Sequence, residues 1–280
     1  MLTKSPVYTN VPAQKADKNC KLINGIRVYY EMKGTGQPLI FIHDFTLDNR
    51  MWDDQFYFFS KWYRCIRYDI RGYGQSSLPG SQSYTFQDDL KSLLFSLDIS
   101  EPVILVGHSM GGRVASNFAL QYPRFTKALV LADAQIEGYD FKEFKLDIIF
   151  NSAKQKSIEY AKRKWFGHNI FAQAKKNKLV SECLWQIIQS YSGWHFVSPN
   201  YPEPTNPCAW EQLENIEAPA LIMYGDLDLP DFREMSEAAA ARIPGAKKRI
   251  LSNTGHMSNM ENPAAFNNEL QQFLKNLVVA

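Results

Sequence analysis

Val103-Ile104-Leu105-Val106-Gly107-His108-Ser109-Met110-Gly111 passes from an apolar run into a turn built around one serine. The apolar run reads as a buried strand. After the turn, Val114, Ala115, Phe118, Ala119 and Tyr122 recur at helical spacing. Strand, sharp turn and helix form the context that G-x-S-x-G requires. The serine sits at the tip while the backbone passes close by on both sides, where a Cβ would clash, so both flanking positions need glycine. The helix after the turn aims its N–H groups and positive dipole end at the serine, where an oxyanion would form. A plain turn serine in a parallel-sheet domain would carry the same letters, so the rest of the chain must supply a base and an acid.

Outward from the turn, strands and helices alternate. Ile26 to Lys33, Pro38 to Ile42, Tyr63 to Tyr68, Val103 to Val106 and Ala128 to Ala132 read as strands. Trp52, Phe56 and Phe59 mark a short helix, and Phe86, Leu90, Leu93, Leu94 and Leu97 a longer one. From about Ile136 to Trp210 the alternation stops. That stretch is helical in character and rich in Lys and aromatics, and it closes with the irregular run from Ser198 to Pro207. Alternation then resumes with a strand at Ala220 to Tyr224, a helix at Phe232 to Arg242, a strand at Lys247 to Leu251 and a helix from Pro263. The class is α/β, a mostly parallel sheet with helices on both faces. The expected organisation is a tail over 1–21, a core over 22–135 and 211–280, and a helical cap over 136–210. Such a cap would lie over the C-terminal strand edge, where open α/β sheets bind ligands.

The bulk numbers narrow the partners. In 280 residues, 45% are hydrophobic and 21% charged, with a net charge of +2. That balance gives no reason to expect nucleic acid or an anionic surface. No apolar run approaches the ~20 residues of a membrane span. The polar N-terminal stretch has no signal core, so cytoplasm is the default expectation. Cys20, Cys65, Cys183 and Cys208 lack metal-type spacing and read as reduced, although Cys183 and Cys208 share the cap and could pair. With no His-x-His or His-Glu-x-x-His pair, no P-loop and no dinucleotide fingerprint, no metal or other cofactor is expected.

A serine hydroxyl needs a base within hydrogen-bond reach, and the base needs an orienting acid. Of five histidines, His256 follows the last strand, in Asn253-Thr254-Gly255-His256-Met257, and is the expected base. His108 is read as structural, and His168 and His195 as surface or pocket-lining residues. The acid belongs between serine and histidine in chain order. Asp228, after the strand at Ala220 to Tyr224, is the expected acid; Asp226 and Asp231 are its neighbours and Asp133 a rival. The backbone N–H groups of Met110 and Phe45 are the expected oxyanion donors.

These marks together resemble the α/β-hydrolase superfamily over nearly the whole chain. They are His43-x-Phe45, Tyr68-Asp69-x-Arg71-Gly72-x-Gly74-x-Ser76, Gly107-His108-Ser109-Met110-Gly111-Gly112, Gly225-x-x-Asp228, and Gly255-His256 with Glu261-x-Pro263. Leu47-Asp48-x-x-Met51-Trp52-x-x-Gln55 is most similar to the branch of 3-oxoadipate enol-lactonases and small carboxylesterases. The resemblance implies an eight-stranded sheet, a helical cap and a Ser109-His256-Asp228 triad. It breaks at Asp44, where the family usually has glycine. A carboxylate aimed into the oxyanion hole would repel the developing charge, so Asp44 is expected to point away, and Asp44→Gly to change the rate little.

The expected substrate is a small or medium, largely apolar ester or lactone, with Asp44, Trp165, Trp185, Trp194 and Phe196 at its pocket. C–C bond hydrolysis or acyl transfer would use the same triad. A ligand-binding receptor with little turnover is the reading from another class. The sequence leaves the oligomeric state open.

Overall fold

A computed structural model of the chain describes residues 17–198 and 201–277. Eight strands form one sheet: β1 (Asp17–Ile23), β2 (Ile26–Lys33), β3 (Pro38–Ile42), β4 (Arg64–Tyr68), β5 (Val103–His108), β6 (Thr126–Ala132), β7 (Ala220–Gly225) and β8 (Lys247–Leu251). Their order is β1-β2-β4-β3-β5-β6-β7-β8. β1 with β2 and β2 with β4 pair antiparallel, and every later pair is parallel. β3 and β5 are buried along their whole length, as strands covered on both faces must be. At the other edge, β8 exposes Lys247, Lys248 and Arg249, charges that discourage a further strand from pairing there.

Among the described residues, ten α-helices accompany the sheet. They are α1 (Asp53–Phe59), α2 (Phe86–Ser96), α3 (Met110–Gln121), α4 (Asp147–Gln155), α5 (Ile158–Phe166), α6 (Lys178–Ser190), α7 (Trp194–Val197), α8 (Pro230–Arg242), α9 (Ser258–Glu261) and α10 (Pro263–Asn276). Helices α4 to α7 fall between β6 and β7, in the stretch expected to be helical. They are tied to the sheet's C-terminal edge: the Trp165 indole donates to Thr46 Oγ1 at 2.8 Å, and His195 stacks on Tyr73 at 4.4 Å.

The N-terminal boundary needs correction. Residues 17–21, expected as part of a tail over 1–21, belong to β1, in continuous register with β2 from Asp17↔Met32 to Ile23↔Ile26. The connection is Asn24-Gly25, with φ of 44° and 75°. Two consecutive residues at positive φ make the hairpin turn whose twist matches the strands, and Asn-Gly is its preferred pair. Residues 1–16 lie outside the described residues. The four cysteines are free thiols, so the pairing of Cys183 with Cys208 does not occur.

Candidate active site

All functional candidates leave the same edge of the sheet, because the parallel strands end there. His43-Asp44-Phe45 follows β3, Ser109 follows β5, Asp133 follows β6, Asp228 follows β7 and His256 follows β8. The chain leaves β3 for β4 on one side and returns to β5 on the other. The loops after β3 and β5 therefore diverge and open a crevice between them.

Ser109 has φ 48° and ψ −116°, a conformation that L residues rarely adopt and that persists only where the surroundings impose it. A Cβ on Gly107 would lie 2.2 Å from the Gly111 carbonyl oxygen, and one on Gly111 would lie 2.1 Å from that of Ile42. Both glycines of G-x-S-x-G are thus required by close backbone approach.

His256 Nδ1 lies 2.9 Å from Asp228 Oδ2, both groups buried. The other Asp228 oxygen accepts the Leu229 N–H at 2.6 Å. Glu261 accepts the N–H groups of Gly255 and Met257 and so clamps the loop that carries His256. The rival acids are occupied elsewhere. Asp133 accepts the Gly225 N–H at 2.8 Å and the Ser258 hydroxyl. Asp231 accepts the N–H groups of Lys142, Glu143 and Phe144, and Asp226 is only partly buried. His108 is structural as expected on one side, its Nε2 donating to the His256 carbonyl at 2.7 Å.

Asp44 overturns the expectation that it points away. Its Oδ1 accepts the N–H of Phe45 at 2.5 Å and that of Met110 at 3.3 Å, and Ser109 stands beside the same carboxyl. The two N–H groups expected to receive an oxyanion do converge on one point, and Asp44 fills it. The physical reason is burial. A carboxyl 2% exposed must be hydrogen-bonded, and the unpaired N–H groups at the end of β3 and the start of α3 supply the donors. Asp44 itself is not among the residues at positive φ, so glycine is not needed here for backbone conformation. The His256 Nε2, expected to face the serine hydroxyl, has no hydrogen-bond partner and lies 3.9 Å from Asp44 Oδ2.

Burial holds the Asp44 carboxyl above the usual carboxylate range, against the pull of His256, Ser109 and the two N–H groups. Burial draws His256 down, but the Asp228, Asp44 and Asp133 carboxylates outweigh it and raise the imidazole to about 9. A raised histidine is protonated at neutral pH and cannot take a serine proton until pH passes its pKa. Ester kcat/KM should therefore keep rising to about pH 9, measured with a leaving group that does not titrate in this range. A plateau already reached at pH 7 would contradict this charge arrangement.

Above the serine lies a cavity of about 150 Å³. Phe45, Tyr73, Phe144, Phe150, Trp165 and Phe232 give it apolar walls, and Asp44, Ser109, Arg113, Gln135 and His195 add polar atoms. Of the expected pocket residues, Asp44 and Trp165 line it and three do not. Trp185, half-buried, packs on Phe166 at 5.2 Å. Trp194 packs against the edge of His195, and Phe196 stands behind Phe45 and Tyr191. Aromatic content marked the right segment, but helix phase decides which ring faces inward. His195, expected as a surface or pocket residue, is a buried part of the lining. Burial lowers its imidazole to about 3, so it is neutral there. The place of Phe144, Phe150 and Phe232 in the lining depends on how the inserted helices dock, which no local sequence pattern carries.

Comparison with known proteins agrees with this architecture. A family model described as alpha/beta hydrolase fold matches residues 37–263. A putative non-heme chloroperoxidase from Synechocystis sp. is 30% identical over 272 residues, covering 89% of this chain and 95% of that protein. The (E)-2-((N-methylformamido)methylene)succinate hydrolase of Acinetobacter baylyi is 26% identical over 264 residues, covering 92% and 98%. The structure of a thermophilic esterase from Thermogutta terrifontis matches with a TM-score of 0.76 at 25% identity, covering 94% of this chain and 99% of that one. With its sheet order, its serine turn and a family match over most of its length, this chain belongs to the α/β-hydrolase fold family.

Proposed function

We propose that this enzyme hydrolyses a small carboxylic ester or lactone through an acyl-enzyme on Ser109. Ser109 Oγ attacks the carbonyl carbon while His256 Nε2 takes its proton. Asp228 keeps the proton on His256 Nδ1 and stabilises the imidazolium. The carbonyl oxygen, now anionic, takes the N–H groups of Phe45 and Met110 once Asp44 has left them. His256 then protonates the departing alkoxide, which for a lactone stays attached as the far end of the acyl chain. Water repeats the cycle, giving up a proton to His256, and releases the carboxylic acid and free Ser109.

The observation that carries this reading is the buried Asp228–His256 bond beside a serine held at φ 48°. A cavity of about 150 Å³ with largely aromatic walls suits a short, apolar acyl group. The relatives named as an esterase and as a succinate-derivative hydrolase support hydrolysis as the reaction class.

Intact mass after treatment with a fluorophosphonate tests it. Wild type should gain one adduct, and Ser109→Ala should gain none. An unlabelled wild type that is nonetheless stabilised thermally by small esters, without product, would replace this reading with the receptor reading.

A further inference from the structure

Ester hydrolysis needs His256 but has no use for two other groups aimed at the same point. Asp44 Oδ2, His108 Nδ1 and His256 Nε2 lie within 4.8 Å of one another, and all three residues are buried. Asp44 Oδ2 is 3.9 Å from each of the two nitrogens, too far for a hydrogen bond to either. Neither nitrogen has a hydrogen-bond partner. The other nitrogen of each ring is already committed as a donor. His108 Nε2 gives its proton to the His256 carbonyl at 2.7 Å, and His256 Nδ1 gives its proton to Asp228 at 2.9 Å. In the neutral rings both facing nitrogens therefore carry lone pairs. With both rings neutral, three electron-pair donors thus converge in a buried space with no hydrogen bond joining them, and at neutral pH an incoming ion first displaces the His256 Nε2 proton.

We propose that Asp44, His108 and His256 form a binding site for one divalent transition ion of the zinc class, and that the bound ion silences Ser109. Two imidazoles and a carboxylate are a ligand set that suits zinc. Tetrahedral ligands at zinc distances stand about 3.4 Å apart. Closing the two 3.9 Å separations to that value takes about 0.5 Å each, and the nitrogen-to-nitrogen separation, within 4.8 Å, closes by at most about 1.4 Å as the side chains rotate inward. The outer bonds that orient metal-binding histidines are in place: a backbone carbonyl on His108 and a carboxylate on His256. The Asp133 carboxylate, 3.6 Å from His108 Nε2, adds negative charge behind the site. An ion seated here takes the His256 lone pair that Ser109 would need, so the loaded protein cannot form an acyl-enzyme. The three ligands come from the loop after β3, the last residue of β5 and the loop after β8, far apart in sequence, which is why no short motif announces them.

The site rests on ligand geometry and not on whether Ser109 attacks an ester, so the test uses the full chain with Ser109→Ala. Zinc chloride is titrated calorimetrically into this protein, and into versions that also carry Asp44→Asn or His108→Asn. One ion per chain is expected, bound at least about tenfold more weakly in each double variant. Cobalt chloride added to Ser109→Ala alone should give the visible spectrum of four-coordinate nitrogen and oxygen ligation, a readout that survives even if the double variants fail to fold. No saturable binding, binding indifferent to Asp44→Asn, or a thiolate-to-cobalt charge-transfer band from the free cysteines would each overturn the site. Zinc binding to Ser109→Ala, together with metal-free wild type that resists the fluorophosphonate, would leave this site standing and remove only the acyl-enzyme reading.

Discussion

Replacing Asp44 with glycine should raise ester kcat/KM by roughly a thousandfold. Two effects of Asp44 oppose the reaction. Its Oδ1 occupies the point on which the Phe45 and Met110 N–H groups converge, so a substrate carbonyl must displace it before attack. Its charge also opposes the developing oxyanion: like charges ~4 Å apart at an effective dielectric of ~20 repel by about 4 kcal/mol, or about three orders of magnitude in rate. Each freed oxyanion donor is commonly worth about a hundredfold or more. Asp44→Asn separates the two effects. The amide still fills the hole but carries no charge, so its gain should fall well below that of glycine. Initial rates with a short-chain ester, on protein whose folding is checked by circular dichroism, decide the matter. If Asp44→Gly stays within about threefold of wild type, Asp44 leaves the hole at no cost. The original expectation of an outward-facing carboxylate would then describe the working state.

The core of the fold was legible because its signals are local. Buried runs such as Val103 to Val106 can only be strands between covered faces, and the glycines at 107 and 111 are each required by a backbone oxygen about 2 Å from where a Cβ would sit. Position at strand ends points to Ser109, Asp228 and His256, and the last two share a hydrogen bond. What escaped depends on tertiary contact. β1 was missed although Asn24-Gly25 announces its hairpin, because Asp17-Lys18-Asn19 is polar and an edge strand tolerates polar residues on its open face. Composition points to Trp185, Trp194 and Phe196 as pocket residues, and helix phase turns them away. Asp44 departs from expectation for a different reason. Its cost to an oxyanion was visible in the sequence, but not the pull of two unpaired N–H groups and a hydroxyl on a buried carboxyl. The convergence of His108 with Asp44 could not be read at all, since it follows from the register of β3 against β5.

Asp228→Asn should lower kcat by about ten thousandfold, and Asp133→Asn by less than about tenfold. The asymmetry follows from hydrogen-bond direction. In wild type, Asp228 Oδ1 accepts the Leu229 N–H at 2.6 Å while Oδ2 faces His256 Nδ1 at 2.9 Å. An asparagine at 228 keeps its oxygen on the Leu229 N–H and must turn its NH2 group toward the imidazole. The ring then accepts at Nδ1 and carries its proton on Nε2, the tautomer that cannot receive the Ser109 proton. An asparagine at 133 makes no such reversal, because the wild-type carboxylate bonds the Gly225 N–H and the Ser258 hydroxyl and not His256. Its amide can still accept from Gly225, and the Ser258 hydroxyl can turn to accept in its place. The loss at 133 should therefore appear as about 1–3 kcal/mol of stability, read by denaturant melts. Steady-state rates on both variants make the comparison. If Asp133→Asn proved the more damaging to kcat, the orienting acid would move from the end of β7 to the end of β6, with His256 turning toward it in the working state.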